Sequence, residues 1–358
     1  MAALNAARTR RPVPAPSRAG AGHATGIGAR SHGGPDARGP ADWDFSTNAN
    51  ACGPCPHAWA RVQAAGRTRY PDPTYQALRE RLARLHGVPP GRILMAASGS
   101  EWIMRWTAWC ARRGLRRVWL PPHGYGDYAH AAALWGLRRV RQPQQAQLAW
   151  LCDPGSPLGQ PEDPAVAAAL LADPCRPVAL DLAYAPLRLH DDTGLHDTMR
   201  ERVWQLWSPN KALGLTGVRA AYVVAPLQAD AADVAALDAM APSWPLGADG
   251  VALLHAWADD ATQGWLRATL PTLQRWKADL VALLTRRGWR CQPSVTPFVC
   301  ARPPHPIDAE ALRAHGVKLR DAASFGLPGW WRLSAQPPQA LAALDAALAA
   351  VQAGEGEP

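Results

Sequence analysis

Apolar runs and helical periodicities alternate through the middle of the chain, from about residue 57 to residue 287. Short apolar runs predict buried strands, and apolar positions repeated every three or four residues predict helices. The predicted strands are 93–96, 117–120, 148–152, 177–182, 203–207 and 220–224. The predicted helices are 57–65, one marked by Tyr75, Leu78, Leu82 and Leu85, then 102–111, 128–135, 164–171 and a helical region at 251–287. This alternation predicts an α/β fold with a mostly parallel central sheet and helices on both faces.

The two ends of the chain differ from this middle part. Residues 1–30 are rich in Gly, Pro, Ala and Arg without an amphipathic period, which predicts a disordered or extended arm. We expect a large domain at 61–245 and a smaller α+β C-terminal domain at 246–352, where short strands mix with helices. Residues 353–358 are predicted to be a disordered tail.

Charge and cysteine content narrow the function classes. The formal net charge is +9, but the arginines are scattered and no basic run interleaves with aromatic residues, so we expect no nucleic-acid partner. No apolar run reaches the roughly 18 residues that span a bilayer, so we expect no membrane association. Seven cysteines, an odd number without the spacing of a disulfide framework, predict a reducing, cytoplasmic location.

Cys52 and Cys55 enclose Gly-Pro, the dithiol sequence of thioredoxin-like oxidoreductases. That chemistry needs the motif at the start of a helix that follows a strand, where the helix dipole lowers the thiol pKa. Here residues 45–50 are polar and turn-like, and no second Cys or His pair stands at zinc-binding spacing. We therefore expect neither redox nor metal chemistry from this pair.

The densest candidate chemistry lies at 208–219, in the sequence SPNKALGLTGVR. Lys211 has the amine that can form a Schiff base with a carbonyl cofactor. Ser208 and Arg219 are residue types that hold a phosphate, through a hydroxyl and a charged planar fork. A surface loop with unrelated charges is the alternative, but the preceding run at 203–207 is a predicted buried strand. The segment predicts pyridoxal phosphate.

Other strand ends offer partners for such a cofactor. Asp181 would lie at the carboxyl edge of the sheet, where its carboxylate can keep a pyridine nitrogen protonated, and Tyr184 can donate to the ring oxygen. Alone, Asp181 is equally well explained as a cap of the next element. An aromatic after strand 117–120 can stack on the ring, and Tyr125 is the candidate, with His123 as a competitor and plain packing as the alternative.

Two further candidates are a binding site for the cofactor phosphate and an arginine for the substrate carboxylate. Ser98, Gly99 and Ser100 open a predicted helix, where backbone amides and hydroxyls bind anions, although the same residues make an ordinary N-cap. Arg332, on a predicted C-terminal strand, can clamp a carboxylate bidentately; a solvated arginine is the alternative.

Taken in order, these motifs resemble the fold-type I pyridoxal-phosphate enzymes of the class I/II aminotransferase superfamily, over about residues 31–351. Four segments are similar to one branch, the L-threonine-O-3-phosphate decarboxylases of cobalamin biosynthesis, which are close relatives of histidinol-phosphate aminotransferase. They are SHGG at 31–34, DFSTNAN at 44–50, YPDP at 70–73 and SFGLPG at 324–329.

The resemblance implies a role for each candidate. Lys211 would carry the cofactor, Asp181 would pair with its ring nitrogen, Tyr184 would contact the ring oxygen and Tyr125 would stack on the ring. The phosphate would be held by Ser98, Gly99, Ser100, Ser208 and Arg219. In a homodimer with shared active sites, Tyr70 would reach the phosphate of the neighbouring subunit. The substrate side would comprise His32, Asn48 and Arg332, with residues 31–60 contributing to the active site and the small domain, and 61–245 binding the cofactor.

Two positions depart from the family pattern. Ser156 stands where the family carries an Asn that donates to the ring oxygen, and Ala51 stands where it carries Pro. A hydroxyl is shorter than an amide, so the contact from position 156 is expected to be lost or bridged by water. Both changes lie on the substrate side of the expected site.

The resemblance implies a pyridoxal-phosphate-dependent lyase that decarboxylates L-threonine O-3-phosphate to (R)-1-aminopropan-2-yl phosphate, a small phosphorylated amino acid being the substrate. An aminotransferase of the histidinol-phosphate type is the alternative, because both reactions use the same residues. A non-catalytic regulator of this fold would normally lack Lys211 or carry a DNA-binding domain. The N-terminal arm is too short and too rich in Pro and Gly for such a domain.

Overall fold

The computed structural model describes residues 32–190 and 195–354. The chain divides into two units, Met1–His32 and Gly33–Pro358, and the elements described belong to the second. The helices in the described residues are α1 (Pro56–Gln63), α2 (Gln76–His86), α3 (Gly99–Arg112), α4 (Gly126–Leu134), α5 (Pro164–Leu171), α6 (Asp197–Arg200), α7 (Ala231–Ala239), α8 (Ala248–Trp257), α9 (Asp260–Arg286), α10 (Ala309–Ala314) and α11 (Pro338–Gly354). The strands there are β1 (Trp43–Asp44), β2 (Ile93–Ala96), β3 (Arg117–Trp119), β4 (Arg138–Val140), β5 (Leu148–Cys152), β6 (Val178–Asp181), β7 (Trp204–Trp207), β8 (Ala221–Val224), β9 (Arg290–Cys291), β10 (Phe298–Arg302), β11 (Val317–Lys318), β12 (Arg320–Asp321) and β13 (Trp331–Ser334).

A seven-stranded sheet lies at the centre, in the order β2-β8-β7-β6-β5-β3-β4. Strand β8 runs antiparallel to both of its neighbours, and the other pairs are parallel. The predicted α/β fold with a mostly parallel sheet is therefore confirmed. In such a sheet the carboxyl ends of β5, β6 and β7 meet at one edge, where the loops that follow them form a shared crevice.

Both faces of this sheet are covered, because successive residues of a strand point to opposite sides. Ile93 and Met95 of β2 join an apolar cluster with helices α2, α8 and α9. Leu94 and Ala96, the intervening residues, join a second cluster with helices α3, α4 and α7. Burial on both faces explains why these strands read as continuous apolar runs.

A second, antiparallel sheet follows in the order β12-β13-β10-β9, and it packs against α9, α10 and α11. Strand β1 pairs in parallel with β11, with Trp43 opposite Val317. Residues close to the start of the described chain are thus anchored on the C-terminal part. The large sheet falls within the predicted segment 61–245 and the second sheet within 246–352, while the exact boundaries stay predictions.

Several elements differ from the sequence prediction. The helical region at 251–287 is two helices, because Asp259 takes an extended conformation as the N-cap of α9. Strand β4 and helix α7 were not predicted. Leu85 lies in the last turn of α2 and is 37% exposed, whereas Ala83 belongs to the core.

The predicted ends of the chain lie largely outside the described residues. This applies to the arm at 1–30 and to residues 355–358 of the predicted tail. Helix α11 continues to Gly354, two residues into that tail.

Candidate active site

Lys211 lies in a tight turn directly after β7. The loop that follows β1 is hydrogen-bonded to this turn, because the Asn50 backbone N–H donates to the Lys211 carbonyl at 2.9 Å. Gly214 has a φ of +66°, and a Cβ there would lie 3.0 Å from the Cα of Gly53. The packing therefore requires glycine at this point. The Lys211 amine lies 5.4 Å from the ring centroid of Tyr184, so it is directed at the residues that follow β6.

Asp181 is the last residue of β6 and is buried. Its Oδ2 accepts a hydrogen bond from the hydroxyl of Tyr128 at 2.7 Å, and its Oδ1 accepts from the Ala183 backbone N–H at 2.9 Å. The carboxylate therefore caps the local turn and also contacts a second element. An ionised carboxylate has about four acceptor positions, so it retains capacity for a protonated ring nitrogen.

Tyr184 lies between Lys211 and Asn48. Its hydroxyl lies 3.4 Å from Nδ2 of Asn48, which donates to it. Its ring meets that of Phe298 edge-on, with centroids 5.0 Å apart. Oδ1 of Asn48 is buried and has no hydrogen-bond partner among the described residues. Since buried polar atoms are normally paired, this oxygen fits a site that receives a polar ligand.

The start of α3 forms an anion cradle. The Ser98 hydroxyl accepts the Glu101 N–H at 3.1 Å, so this side chain caps the helix. A Cβ added to Gly99 would lie 3.8 Å from Oγ of Ser208, which brings that hydroxyl to the helix N-terminus. Oγ of Ser100 lies 3.3 Å from the hydroxyl of Tyr125. Two hydroxyls beside free helix N–H groups suit a phosphate dianion.

Tyr125 and His123 have separate surroundings. Burial raises the pKa of Tyr125 to about 12, so its phenol stays protonated. Nδ1 of His123 lies 2.9 Å from the Phe325 carbonyl, in the C-terminal part. His123 is thus engaged away from the cradle, which favours Tyr125 as the ring that faces a cofactor.

Arg332 is buried on β13, so the alternative of a solvated arginine is wrong. Its Nη1 donates to the Ser156 hydroxyl at 3.0 Å and its Nη2 donates to the Ser46 carbonyl at 2.7 Å. Its Nε has no hydrogen-bond partner among the described residues. The Ser156 hydroxyl, at the position where the resemblance led us to expect Asn, therefore accepts from Arg332.

A second buried arginine was missed by the sequence analysis. Arg320 stands opposite Arg332 in the pairing of β12 with β13. Its Nη2 donates to the Ser324 hydroxyl at 2.7 Å, and its guanidinium lies 5.0 Å from the ring centroid of Phe325. Burial lowers the pKa of both arginines, and the Arg332 guanidinium further lowers that of Arg320. The two guanidiniums, on the paired strands β12 and β13, favour the binding of anions there.

Three predicted residues, Arg219, Tyr70 and His32, are exposed. Arg219 is exposed before β8. Tyr70 is 78% exposed, and its ring stacks on Trp244 with centroids 4.4 Å apart. His32 belongs to the first unit of the chain, so its role stays a prediction.

The cysteine pair stands beside the lysine turn. The Cys55 backbone N–H donates to the Leu213 carbonyl at 2.8 Å. Both thiols are free, and burial raises the pKa of Cys52, which disfavours its thiolate. Within 32–190 and 195–354, no group of three His, Cys, Asp or Glu side chains is arranged to hold a metal ion.

Residues 140–351 match the family model "Aminotransferase class I and II". That match covers more than half of the chain. The chain belongs to this family. Among its relatives, histidinol-phosphate aminotransferase of Jannaschia sp. strain CCS1 is 28% identical, over 86% of this chain and 91% of the relative. The enzyme of the same name from Symbiobacterium thermophilum is 29% identical, over 82% of this chain and 86% of its own length.

Solved structures share the fold. Histidinol-phosphate aminotransferase of Sinorhizobium meliloti, in complex with pyridoxal-5′-phosphate, aligns with a TM-score of 0.70 at 22% identity, over 86% of this chain and 90% of that one. L-Threonine-O-3-phosphate decarboxylase of Porphyromonas gingivalis aligns with the same TM-score and identity, over 86% of this chain and 99% of that one. The chain thus has the type I fold of pyridoxal-phosphate-dependent transferases.

The cofactor of this family member is pyridoxal phosphate. The described residues fit it at both ends, with hydroxyls and helix amides at α3 for the phosphate and the buried Asp181 carboxylate for the ring nitrogen. The unpaired oxygen of Asn48 adds a polar contact on the substrate side. In the part of the chain that the structure describes, no helix is both long and apolar enough to cross a bilayer.

Proposed function

We propose that this chain is an aminotransferase of the histidinol-phosphate type, acting on a small phosphorylated amine or amino acid. The observation that carries the proposal is the approach of the Lys211 amine to the Tyr184 ring, at 5.4 Å, in a crevice that also contains Asp181. The relatives named above support amine transfer, since they are 28% and 29% identical over most of this chain.

The bound cofactor supplies an electron sink for the bond that breaks at the substrate Cα. Asp181 would hold a proton at the ring nitrogen, and the Tyr184 hydroxyl would donate to the ring oxygen. Ser100, Ser208 and the exposed Arg219 would bind the phosphate group. Lys211 would be the catalytic residue: its Nζ would hold the cofactor's carbonyl carbon, whose oxygen leaves as water, and would later move a proton to or from the substrate Cα.

The substrate side suits an anionic, phosphorylated molecule. Arg332 presents a buried guanidinium whose Nε is unpaired among the described residues, and Arg320 lies directly across the strand pair. Asn48 adds an unpaired amide oxygen, which can accept from a substrate hydroxyl or amine. Together these groups favour a substrate with an anionic group and a polar group close together.

Decarboxylation of threonine phosphate is the second candidate, and one observation favours it. The segments that resemble the decarboxylases, 31–34 and 44–50, include residues packed at the substrate arginine. The Ser46 carbonyl accepts from Arg332, and a Cβ on Gly33 would lie 2.1 Å from that same carbonyl oxygen. A segment so close to the clamp can determine which substrate bond is presented for cleavage.

One experiment separates the two reactions. The purified holoenzyme is incubated with histidinol phosphate and with threonine phosphate, each with and without 2-oxoglutarate. Glutamate formed from 2-oxoglutarate only when histidinol phosphate is present to supply the amino group supports the aminotransferase. Carbon dioxide and aminopropanol phosphate released from threonine phosphate without a keto acid would overturn it in favour of the decarboxylase. Turnover of neither phosphorylated compound would contradict the substrate class.

A further inference from the structure

We propose that Tyr128 is a positioning residue for the reaction, whose hydroxyl fixes the Asp181 carboxylate in the orientation that faces the ring nitrogen of the cofactor. This inference rests on the role proposed above for Asp181. Tyr128 contacts Asp181 and acts through the carboxylate. In the sequence it is the first residue of the predicted helix 128–135.

The geometry of Tyr128 is fixed by its surroundings. The residue lies in the first turn of α4 and is 1% exposed. Its ring stacks on Trp150 of β5, with centroids 4.9 Å apart and an interplanar angle of 16°. The ring of Tyr125 meets it edge-on at 5.9 Å. The hydroxyl is therefore presented from a rigid ring, which lies between β5 and the aromatic that faces the cofactor.

The Tyr128 hydroxyl is the donor in its contact with Asp181. Burial, and then the neighbouring Asp181 carboxylate, hold the pKa of Tyr128 well above its usual range, so the phenol keeps its proton. Cys152, which stands opposite Asp181 in the pairing of β5 with β6, is a further titratable group close to Tyr128. Burial raises its pKa as well, so it stays a neutral thiol. The phenol therefore keeps the proton that it donates to the carboxylate.

Two tethers define the plane of the carboxylate. Oδ1 accepts from the Ala183 N–H at 2.9 Å and Oδ2 from the Tyr128 hydroxyl at 2.7 Å. With only the Ala183 bond, the carboxylate could rotate about the bond to its Cβ. A charge-assisted contact to a ring nitrogen depends strongly on direction, so loss of the second tether weakens it.

Tyr128→Phe tests this directly, because it removes the hydroxyl and keeps the ring that stacks on Trp150. The measured quantities are the dissociation constants of the protein for pyridoxal phosphate and for its 1-deaza analogue, in which a CH group replaces the ring nitrogen. The wild-type protein is expected to prefer pyridoxal phosphate. The variant is expected to lose about tenfold of that preference, because a hydrogen bond to a charged group is lost.

Tyr222→Phe is the matched control. Tyr222 is also fully buried, but its hydroxyl bonds Trp257 at 2.9 Å and His86 at 2.7 Å. Its variant is expected to retain the preference for the nitrogen-containing ligand. The inference is overturned if Tyr128→Phe weakens both ligands equally, which is the signature of a folding defect, or if Tyr222→Phe loses the preference to the same extent.

Asp181→Asn distinguishes this inference from the proposal on which it rests. If Asp181 faces the ring nitrogen, this variant loses the preference for pyridoxal phosphate. If it keeps the preference, the role of Asp181 fails. If it loses the preference while Tyr128→Phe keeps it, only the positioning role of Tyr128 fails.

Discussion

Ser156, a residue that departs from the family's pattern, is hydrogen-bonded to Arg332. An Asn at position 156 offers a carbonyl oxygen to an arginine and N–H groups to a cofactor. The Ser156 hydroxyl accepts from Nη1 of Arg332, and it has one proton left to donate. We therefore expect Ser156 to act mainly by holding the guanidinium that binds the substrate.

Ser156→Ala is expected to raise the KM for the phosphorylated substrate about tenfold while kcat changes little, because a hydrogen bond to a charged group is removed from the ground-state site. Steady-state kinetics with the substrate found by the turnover assay measures this. Ser156→Asn is the control, since its amide oxygen can still accept from Arg332. An unchanged KM in Ser156→Ala would contradict the expected role.

His86 gives the folded protein a distinct pH dependence. Burial lowers its pKa from the usual 6.5 to about 4, so between these values the unfolded chain binds a proton that the folded chain does not. Folding stability is therefore expected to fall as pH decreases from 6.5 to 4, by up to about 3 kcal/mol from this group. Urea unfolding at several pH values should show a smaller loss in His86→Asn than in wild type. Replacing the exposed His57 in the same way should leave the loss unchanged, and equal losses in all three proteins would refute the assignment.

The sequence alone identified residue types but not their partners. Lys211, Asp181 and Arg332 were found because each follows or occupies an apolar run, so its chemistry stands out. Tyr128 and Arg320 were missed, since their significance depends on pairing across elements: Tyr128 contacts Asp181 from a different helix, and Arg320 lies on a strand of two residues. Such pairs require three-dimensional contacts that no local pattern encodes.

At the scale of elements, the turn after β5 is fastened to the loop before β10. The Val295 N–H donates to the Gly159 carbonyl at 2.7 Å. Gly159 has a φ of +68°, and a Cβ there would lie 2.3 Å from Oγ of Ser294 and 2.4 Å from Oγ1 of Thr296. This contact holds the turn that includes Ser156 against the loop that precedes β10. Strand β10 pairs with β13, which includes Arg332.

Gly159→Ala is expected to destabilise the protein by more than about 2 kcal/mol, because it adds a steric clash to the cost of a left-handed backbone. Gly288→Ala is the matched variant: its φ is +75°, but the nearest atom to the added Cβ is 3.6 Å away. That change should cost only about 1 kcal/mol. Chemical denaturation measures both, and equal destabilisation would show that the clash is relieved.

Element prediction succeeded for continuous apolar segments and failed at edges. Strand β5, which is buried throughout, and helix α5, which is apolar throughout and buries Ala167, Leu170 and Leu171, have the predicted ends. Strand β4 was missed because it is a three-residue edge strand with Arg138 and Arg139 exposed. Helix α7 was missed because it is rich in alanine and buries only Leu237, so it lacks an apolar stripe.

At the scale of the whole molecule, a homodimer with shared active sites remains a proposal, and exposed aromatic residues support it. Tyr70 is 78% exposed, and the half-exposed Trp244 stacks on it. The Trp244 indole also donates to the Pro71 carbonyl at 3.1 Å, which fixes the segment that carries Tyr70. Large exposed aromatic side chains are enriched at protein interfaces.

Mixing two inactive variants tests the shared site. Lys211→Ala lacks the amine, and Tyr70→Ala lacks the side chain expected in the neighbouring subunit's site. After co-refolding in equal amounts, about a quarter of wild-type activity is expected, because half of the dimers are hybrids with one intact site each. Mixtures without recovered activity would contradict a site shared between subunits.

The central claim is that Lys211 carries the cofactor, and the chain allows a direct test because it contains only three lysines, Lys211, Lys277 and Lys318. Burial lowers the pKa of Lys277 to about 8, so its amine is a chemically credible competitor, whereas Lys318 is paired with Asp36. The holoenzyme is reduced with borohydride, digested and analysed by mass spectrometry. We predict one pyridoxyl group per chain, on Lys211. A pyridoxyl group on Lys277 or Lys318 in place of Lys211, or none on any lysine, would contradict the account.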